Sequence, residues 1–148
     1  MFDLKVTDIE HANGIATNWA THTLSIVEPG TTLPNGWPNH HIIHFRDTTS
    51  AGISDGPQIG HIINILQYSS SLRDQDRLLV HCYAGISRSP AAAIGILVHH
   101  DIAPTSAIKL VKLVRPKMHP NSLILSLFDE ALGRCDIARA SEAMGYRY

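Results

Sequence analysis

The chain reads as an α/β domain with a central, mainly parallel sheet flanked by helices. Three observations carry that reading. Short β-branched or apolar runs at Thr21–Val27, His41–Phe45 and Arg77–Val80 alternate with longer segments of helical pattern, the order that builds a parallel sheet. The apolar run Leu78-Leu79-Val80 leads into a loop containing Gly85 and then into an alanine-rich segment, which is a strand, a tight loop and a helix start. A length of 148 residues with 44% hydrophobic content supports one sizeable core. A single domain is expected, with its core over about 7–133 and a C-terminal tail over 134–148.

The elements follow in order. Thr7-Asp8-Ile9-Glu10 has the form of a capping box and opens a short helix to about Ala16. Thr21 to Val27 alternates and is β-branched, so it is read as a strand. Glu28 to Asn39 holds three prolines and two glycines and is a loop. His41 to Phe45 is a second strand. Asp55-Gly56-Pro57-Gln58 starts a helix that runs to about Ser70, with Asp55 as its cap. Arg77 to Val80 is the next strand, and Ser89 to His99 the helix after it. Pro104 opens another helix, carries Ile108, Val111 and Val114 on one face, and stops at Arg115-Pro116. Asn121 caps a further helix whose apolar stripe is Ile124, Leu127, Phe128 and Ala131, ending at Gly133. The remainder is a helical or loose tail.

Charge and composition narrow the function. A formal net charge of −1 makes no electrostatic case for nucleic acid or an acidic membrane as partner. No apolar run approaches membrane-spanning length, and Met1-Phe2-Asp3-Leu4-Lys5 lacks a signal-peptide pattern. The two cysteines, Cys82 and Cys135, form no paired spacing. Both features point to a reducing, cytoplasmic setting. The sequence assigns no oligomeric state.

One stretch concentrates the chemistry: His81-Cys82-Tyr83-Ala84-Gly85-Ile86-Ser87-Arg88-Ser89. At the carboxyl end of a strand and the start of a helix, its backbone N–H groups can converge on one phosphate. Cys82 would lie beneath that phosphate as nucleophile. Amides, helix dipole and guanidinium all favour the reactive thiolate. Arg88 offers a planar fork to two phosphate oxygens. Gly85 lets the chain turn where a side chain would block the anion. Tyr83, Ala84, Gly85, Ile86 and Ser87 complete the loop. Ser89 can hydrogen-bond the departing thiolate and cap the helix, with Pro90 beside it. His81 is expected to orient the loop rather than to act as a base.

This stretch resembles the signature of the cysteine-dependent protein tyrosine phosphatase superfamily, His-Cys-x-x-Gly-x-x-Arg-Ser/Thr, with every specified position matched. The order from about Thr21 to Gly133 is similar to compact, dual-specificity-like members of bacterial type, and Pro120-Asn121 resembles the pair that opens their last helix. The resemblance implies hydrolysis of phosphotyrosine, and of phosphoserine or phosphothreonine where the pocket admits them, through a phosphocysteine. It implies a phosphorylated protein as substrate and no cofactor. It also implies a general acid just past the strand that precedes the nucleophile strand. Asp47 stands there, directly after His41–Phe45. Asp55 competes for the role but has the look of a helix cap. The alternative is a pseudophosphatase that holds a phosphoprotein without turnover; such proteins usually lack the nucleophile, arginine or acid, all present here.

Other features have plainer readings. His40 and His44 would lie about 13 Å apart on one strand face, too far to share an ion, so no metal is expected. Cys135 is either a resolving thiol for oxidised Cys82 or an inert cysteine. Lys109, Lys112, Arg115 and Lys117 read as a mild basic strip on a solvated face.

Overall fold

A computed structural model describes residues 1–147; Tyr148, the end of the expected tail, lies outside the described residues. Four parallel strands form the sheet: β1 (Asp3–Thr7), β2 (His22–Val27), β3 (His40–His44) and β4 (Arg77–His81), in the order β1-β4-β2-β3. The helices are α1 (Ile9–Asn18), α2 (Ile59–Ser69), α3 (Arg88–His99), α4 (Pro104–Val114), α5 (Ser122–Leu132) and α6 (Ile137–Ala143).

Alternation along the strands divides two layers. Leu78 and Val80 of β4, with Leu24 and Ile26 of β2, face the large core built with α2 to α6. Leu79 turns the other way and packs with Ala12 and Ala16 of α1 and with Trp37. Leu78, Leu79 and Val80 are all fully buried, as a strand covered on both faces requires. α3 crosses the large core with Ala91, Ala92, Ala93, Ile94, Ile96 and Leu97 buried. Gly95 lets α5 approach it closely, because a Cβ there would meet the Phe128 ring at 2.4 Å.

Most expected elements are present; β1 is absent from the expectation. Asp3–Thr7 is a short edge strand whose outer residues are exposed, so its own pattern is weak. Its strand conformation comes from register with β4, Asp3 opposite Arg77 through Thr7 opposite His81. Thr7 therefore ends a strand. The cap of α1 is Asp8, whose carboxylate accepts from His11 N at 2.9 Å. Asp55 is likewise not a cap. The cap of α2 is Gln58, whose N–H donates to His61 Nδ1 at 2.9 Å, and Asp55 pairs with Arg46. α5 begins and ends as expected, with Asn121 capping through Ile124 N and Gly133 left-handed at φ 65°. The segment past Arg134 forms α6 against α5, tied by Asp129, whose carboxylate accepts from Ile137 N and Ala138 N.

Candidate active site

β4 delivers Cys82 to the end of the sheet, and the chain turns through Gly85 into α3. The carbonyls of this loop are each held from outside. Tyr83 O accepts from Ile9 N at 3.0 Å, Ile86 O from His119 N at 2.7 Å and Ser87 O from Asn121 N at 3.1 Å. Arg115 spans the two between, Nη2 to Ala84 O and Nε to Gly85 O, both at 2.9 Å. In a trans peptide the C=O and the following N–H point opposite ways. Tying the carbonyls outward therefore turns the N–H groups inward, and Gly85 N–H reaches Cys82 Sγ at 3.3 Å. Gly85 sits at φ +69°, and a Cβ there would meet the Thr7 backbone at 2.6 Å. Glycine is required twice over, by the left-handed backbone and by the close approach of β1.

Arg115 corrects the expectation of a solvated basic strip. Its side chain is only 14% exposed, and besides the loop carbonyls it meets Asp8 at 3.6 Å. The sequence shows a lysine and arginine run along a helix; it does not show that one member folds back under a loop thirty residues earlier.

A cavity of about 420 Å³ opens over the loop, lined by Glu28, Asp47, Cys82, Tyr83, Ala84, Ile86, Ser87 and Arg88. Cys82 lies buried at its base, with Ser89 Oγ 3.1 Å from Sγ. Ser89 has this contact alone of the two expected for it. The helix begins at Arg88 with Ser87 as its cap residue, so Ser89 is already inside the first turn.

Arg88 is buried and held in a fixed pose. Nη1 donates to Phe45 O at 2.9 Å, and Nη2 pairs with Glu28 at 3.0 Å. Its Nε is buried and has no hydrogen-bond partner among the described residues. An orphaned guanidinium N–H is costly unless a ligand meets it. The Nε edge, shared with one Nη2 proton, is the side that forks onto an oxyanion. Glu28, at the end of β2, escaped the sequence reading; nothing in an acidic residue before Pro29 signals an arginine sixty positions later.

Asp47 lies on the rim of the same cavity. Its Oδ1 accepts from Ser87 Oγ and from Asn121 Nδ2, each at 2.8 Å. Among the described residues Oδ2 accepts no hydrogen bond. Asn121 is fully buried, caps α5 with its oxygen and holds the Asp47 loop with its nitrogen, which also donates to Thr48 O at 3.0 Å. Asp55 does not line the cavity; it answers Arg46 nine residues earlier.

His81 is fully buried beneath the loop. Its Nδ1 meets Cys82 O at 3.1 Å and its Nε2 meets Ser25 Oγ at 2.6 Å. Burial pushes its pKa down to about 4, so it is neutral at physiological pH. Cys135 is exposed and Cys82 buried, and both are free thiols. Among the described residues no group of His, Cys, Asp and Glu gathers as a metal cluster, and no helix is long and apolar enough to cross a membrane.

A strand–loop–helix cradle with a buried cysteine and arginine on parallel strands is the arrangement of the cysteine-dependent phosphatases, and the comparisons agree. The chain is 33% identical over 93 residues to dual specificity protein phosphatase MPK-4 of Drosophila melanogaster, covering 58% of this chain and 24% of that protein. It is 49% identical over 45 residues to mouse (Mus musculus) dual specificity protein phosphatase 19, covering 30% of this chain and 20% of that one. The chain thus spans a quarter or less of the length of these curated relatives. The crystal structure of human DUSP28 superposes with a TM-score of 0.68 at 19% identity, covering 96% of this chain and 95% of that one. No family model matches the chain. In its signature stretch and in these matches the chain is similar to the cysteine-dependent protein tyrosine phosphatase superfamily, and it shares that superfamily's fold. Within it, the curated relatives that it matches are dual-specificity phosphatases.

Proposed function

We propose that this chain forms a protein phosphatase domain that hydrolyses phosphotyrosine, and phosphoserine or phosphothreonine, through a phosphocysteine. The observation that carries the reading is the unpartnered Nε of Arg88, buried in the wall of a cavity whose base is a cysteine. The bound phosphate accepts from that edge of Arg88 and from the inward N–H groups. Cys82 Sγ attacks phosphorus in line, the phosphorus–oxygen bond to the substrate breaks, and Asp47 Oδ2 protonates the leaving oxygen. Water then attacks the phosphocysteine and Asp47 takes its proton. The thiolate departs toward Ser89 Oγ and Gly85 N–H, which stabilise it.

A phosphoprotein suits the cavity better than an inositol lipid. Its variable loop residues, Tyr83, Ala84, Ile86 and Ser87, carry no cation, and Glu28 and Asp47 add carboxylates at its wall and rim. A single phosphate on an aryl or alkyl stem meets Arg88 and backbone amides; a headgroup with several phosphates would meet carboxylates. A cytoplasmic location fits two free thiols, one of them nucleophilic.

The test is pre-steady-state hydrolysis of a chromogenic aryl phosphate, then of phosphotyrosine peptides against soluble phosphoinositides. Burst kinetics and a trapped phosphocysteine are expected, with Cys82→Ser inactive yet still binding vanadate or phosphopeptide. Turnover by Cys82→Ser above a few per cent of wild type would remove the mechanism. Tight phosphopeptide binding without any burst by the wild type would make the chain a non-catalytic binding module. A large preference for the lipid headgroup would overturn the substrate class.

A further inference from the structure

Beneath the loop, on the sheet face covered by Trp37, a polar chain runs from the edge strand to the nucleophile. The parallel register sets Ser25 of β2 beside His81 of β4, and His40 of β3 lies opposite Thr23, two residues before Ser25. Ser25 Oγ is 2.6 Å from His81 Nε2 and 2.6 Å from His40 Nε2. Ser25 and His81 are fully buried, and the His40 ring packs on the Trp37 ring with centroids 4.6 Å apart and planes tilted by 38°.

The proton positions in this chain follow from counting donors. The Cys82 carbonyl can only accept, so His81 Nδ1 must carry the hydrogen directed at it. A neutral imidazole has one N–H, so His81 Nε2 is a bare acceptor. The single Ser25 hydroxyl proton therefore goes to His81. The remaining contact of Ser25 is with His40 Nε2, which must then be the donor. All three hydrogen bonds point one way: His40 to Ser25, Ser25 to His81, His81 to Cys82 O.

We propose that Ser25 and His40 are positioning residues of the phosphatase reaction, acting through His81 on the Cys82 peptide. The aligned chain locks the tautomer that keeps the Cys82 carbonyl turned away from the anion cavity. It also lays the positive ends of three dipoles toward the loop, which favours the thiolate. Protonating His81 would reverse the chain, because Nε2–H would then donate to Ser25. Burial opposes that. Among the described residues, Asp8 favours the charged form of His81 from the start of α1, His40 opposes it from β3, and His41 acts on His40 from within β3. Burial first, then His41, lowers the His40 pKa as well.

The inference rests on the phosphatase reading, but its test does not require turnover. Cys135 is exposed, so Cys135→Ser is the background. The rate of alkylation of Cys82 by iodoacetamide is followed across the acid-to-neutral range, beside the acid limb of kcat/KM. His40→Phe keeps a ring on Trp37 and removes the donor; Ser25→Ala removes the link. Both should move the alkylation midpoint up by roughly half a pH unit, about threefold slower reaction below it. His40→Gln, whose amide N–H can stand in for Nε2–H, should restore the wild-type profile. His40 is half-buried on an edge strand, so its variants test the idea even where Ser25→Ala does not fold. Loss of stability with an unmoved profile in His40→Phe overturns the proposal, as does a His40→Gln profile shifted equally. Absence of turnover by the wild type, with alkylation profiles behaving as stated, would instead overturn only the phosphatase reading.

Discussion

Replacing Asp47 by Asn tests the general acid with little disturbance to anything else. Among the described residues, the only hydrogen bonds of the carboxylate are those that Oδ1 accepts from Ser87 Oγ and Asn121 Nδ2, both at 2.8 Å. An Asn side-chain oxygen in the same place can accept both. The loop should therefore stay where it is, and stability should change by no more than about 0.5 kcal/mol, as for an exposed position. What disappears is the proton on Oδ2. General acid catalysis is worth about 10²–10⁴ in rate, so alkyl phosphates and unactivated aryl phosphates should lose turnover by that range. A nitrophenyl-type leaving group departs without protonation and should lose far less. The alkaline limb of the pH–rate profile, which reports the acid, should vanish. Asp55→Asn is the control. It weakens an exposed ion pair with Arg46, whose partners are 61% and 39% exposed, and should leave rate and pH profile unchanged. The assay is kcat/KM against leaving-group basicity for wild type and both variants. Near-normal turnover of an alkyl phosphate by Asp47→Asn would refute the assignment, and loss of it in Asp55→Asn would reverse it.

Three further perturbations read other parts of the site. Gly85→Ala places a Cβ 2.6 Å from the Thr7 backbone at φ +69°; the left-handed backbone alone costs about 1–2 kcal/mol, and the displaced amides should cost about a hundredfold in kcat/KM, so a variant as active as wild type would exclude the outward-carbonyl geometry. Arg115→Lys replaces a fork that spans Ala84 O and Gly85 O with a single point donor; urea denaturation should show a loss of about 1.5–3 kcal/mol, and unchanged stability would return Arg115 to the solvated face. Acid titration of stability should expose His81. Its pKa is 6.5 as the ordinary value and about 4 when folded, so stability is complete above pH 6.5 and falls as pH drops from there toward 4, where the unfolded chain binds a proton that the native state refuses. The loss is about 3 kcal/mol at most, with lowered His40, His41 and His61 adding in the same sense. His81→Gln should flatten that slope, and an equal slope in both proteins would remove His81 from the account.

Local signals carried far in this chain. The strand–loop–helix arrangement around Cys82 was legible because its residues are contiguous: Cys82, Gly85, Arg88 and Ser89 lie within one unit, and the backbone conformation that aligns them is itself local. The caps at Asn121 and Gly133 were legible for the same reason, since a side chain bonding three residues ahead and a left-handed terminus leave compositional marks. So was the order of strands and helices from Thr21 onward, because a buried parallel strand needs an apolar run of its own. Tertiary structure decided whatever joins distant segments. β1 exists because β4 offers it a ladder, not because Asp3–Thr7 insists on being extended. Arg115 is a loop clamp, Glu28 the partner of Arg88, and Asn121 the holder of Asp47, each across thirty or more residues. Ser25 meets both His40 and His81 only through strand register. The sequence determined which groups could do chemistry; folding determined which of them face one another, because hydrogen bonds and ion pairs act over a few ångströms of space whatever the separation along the chain.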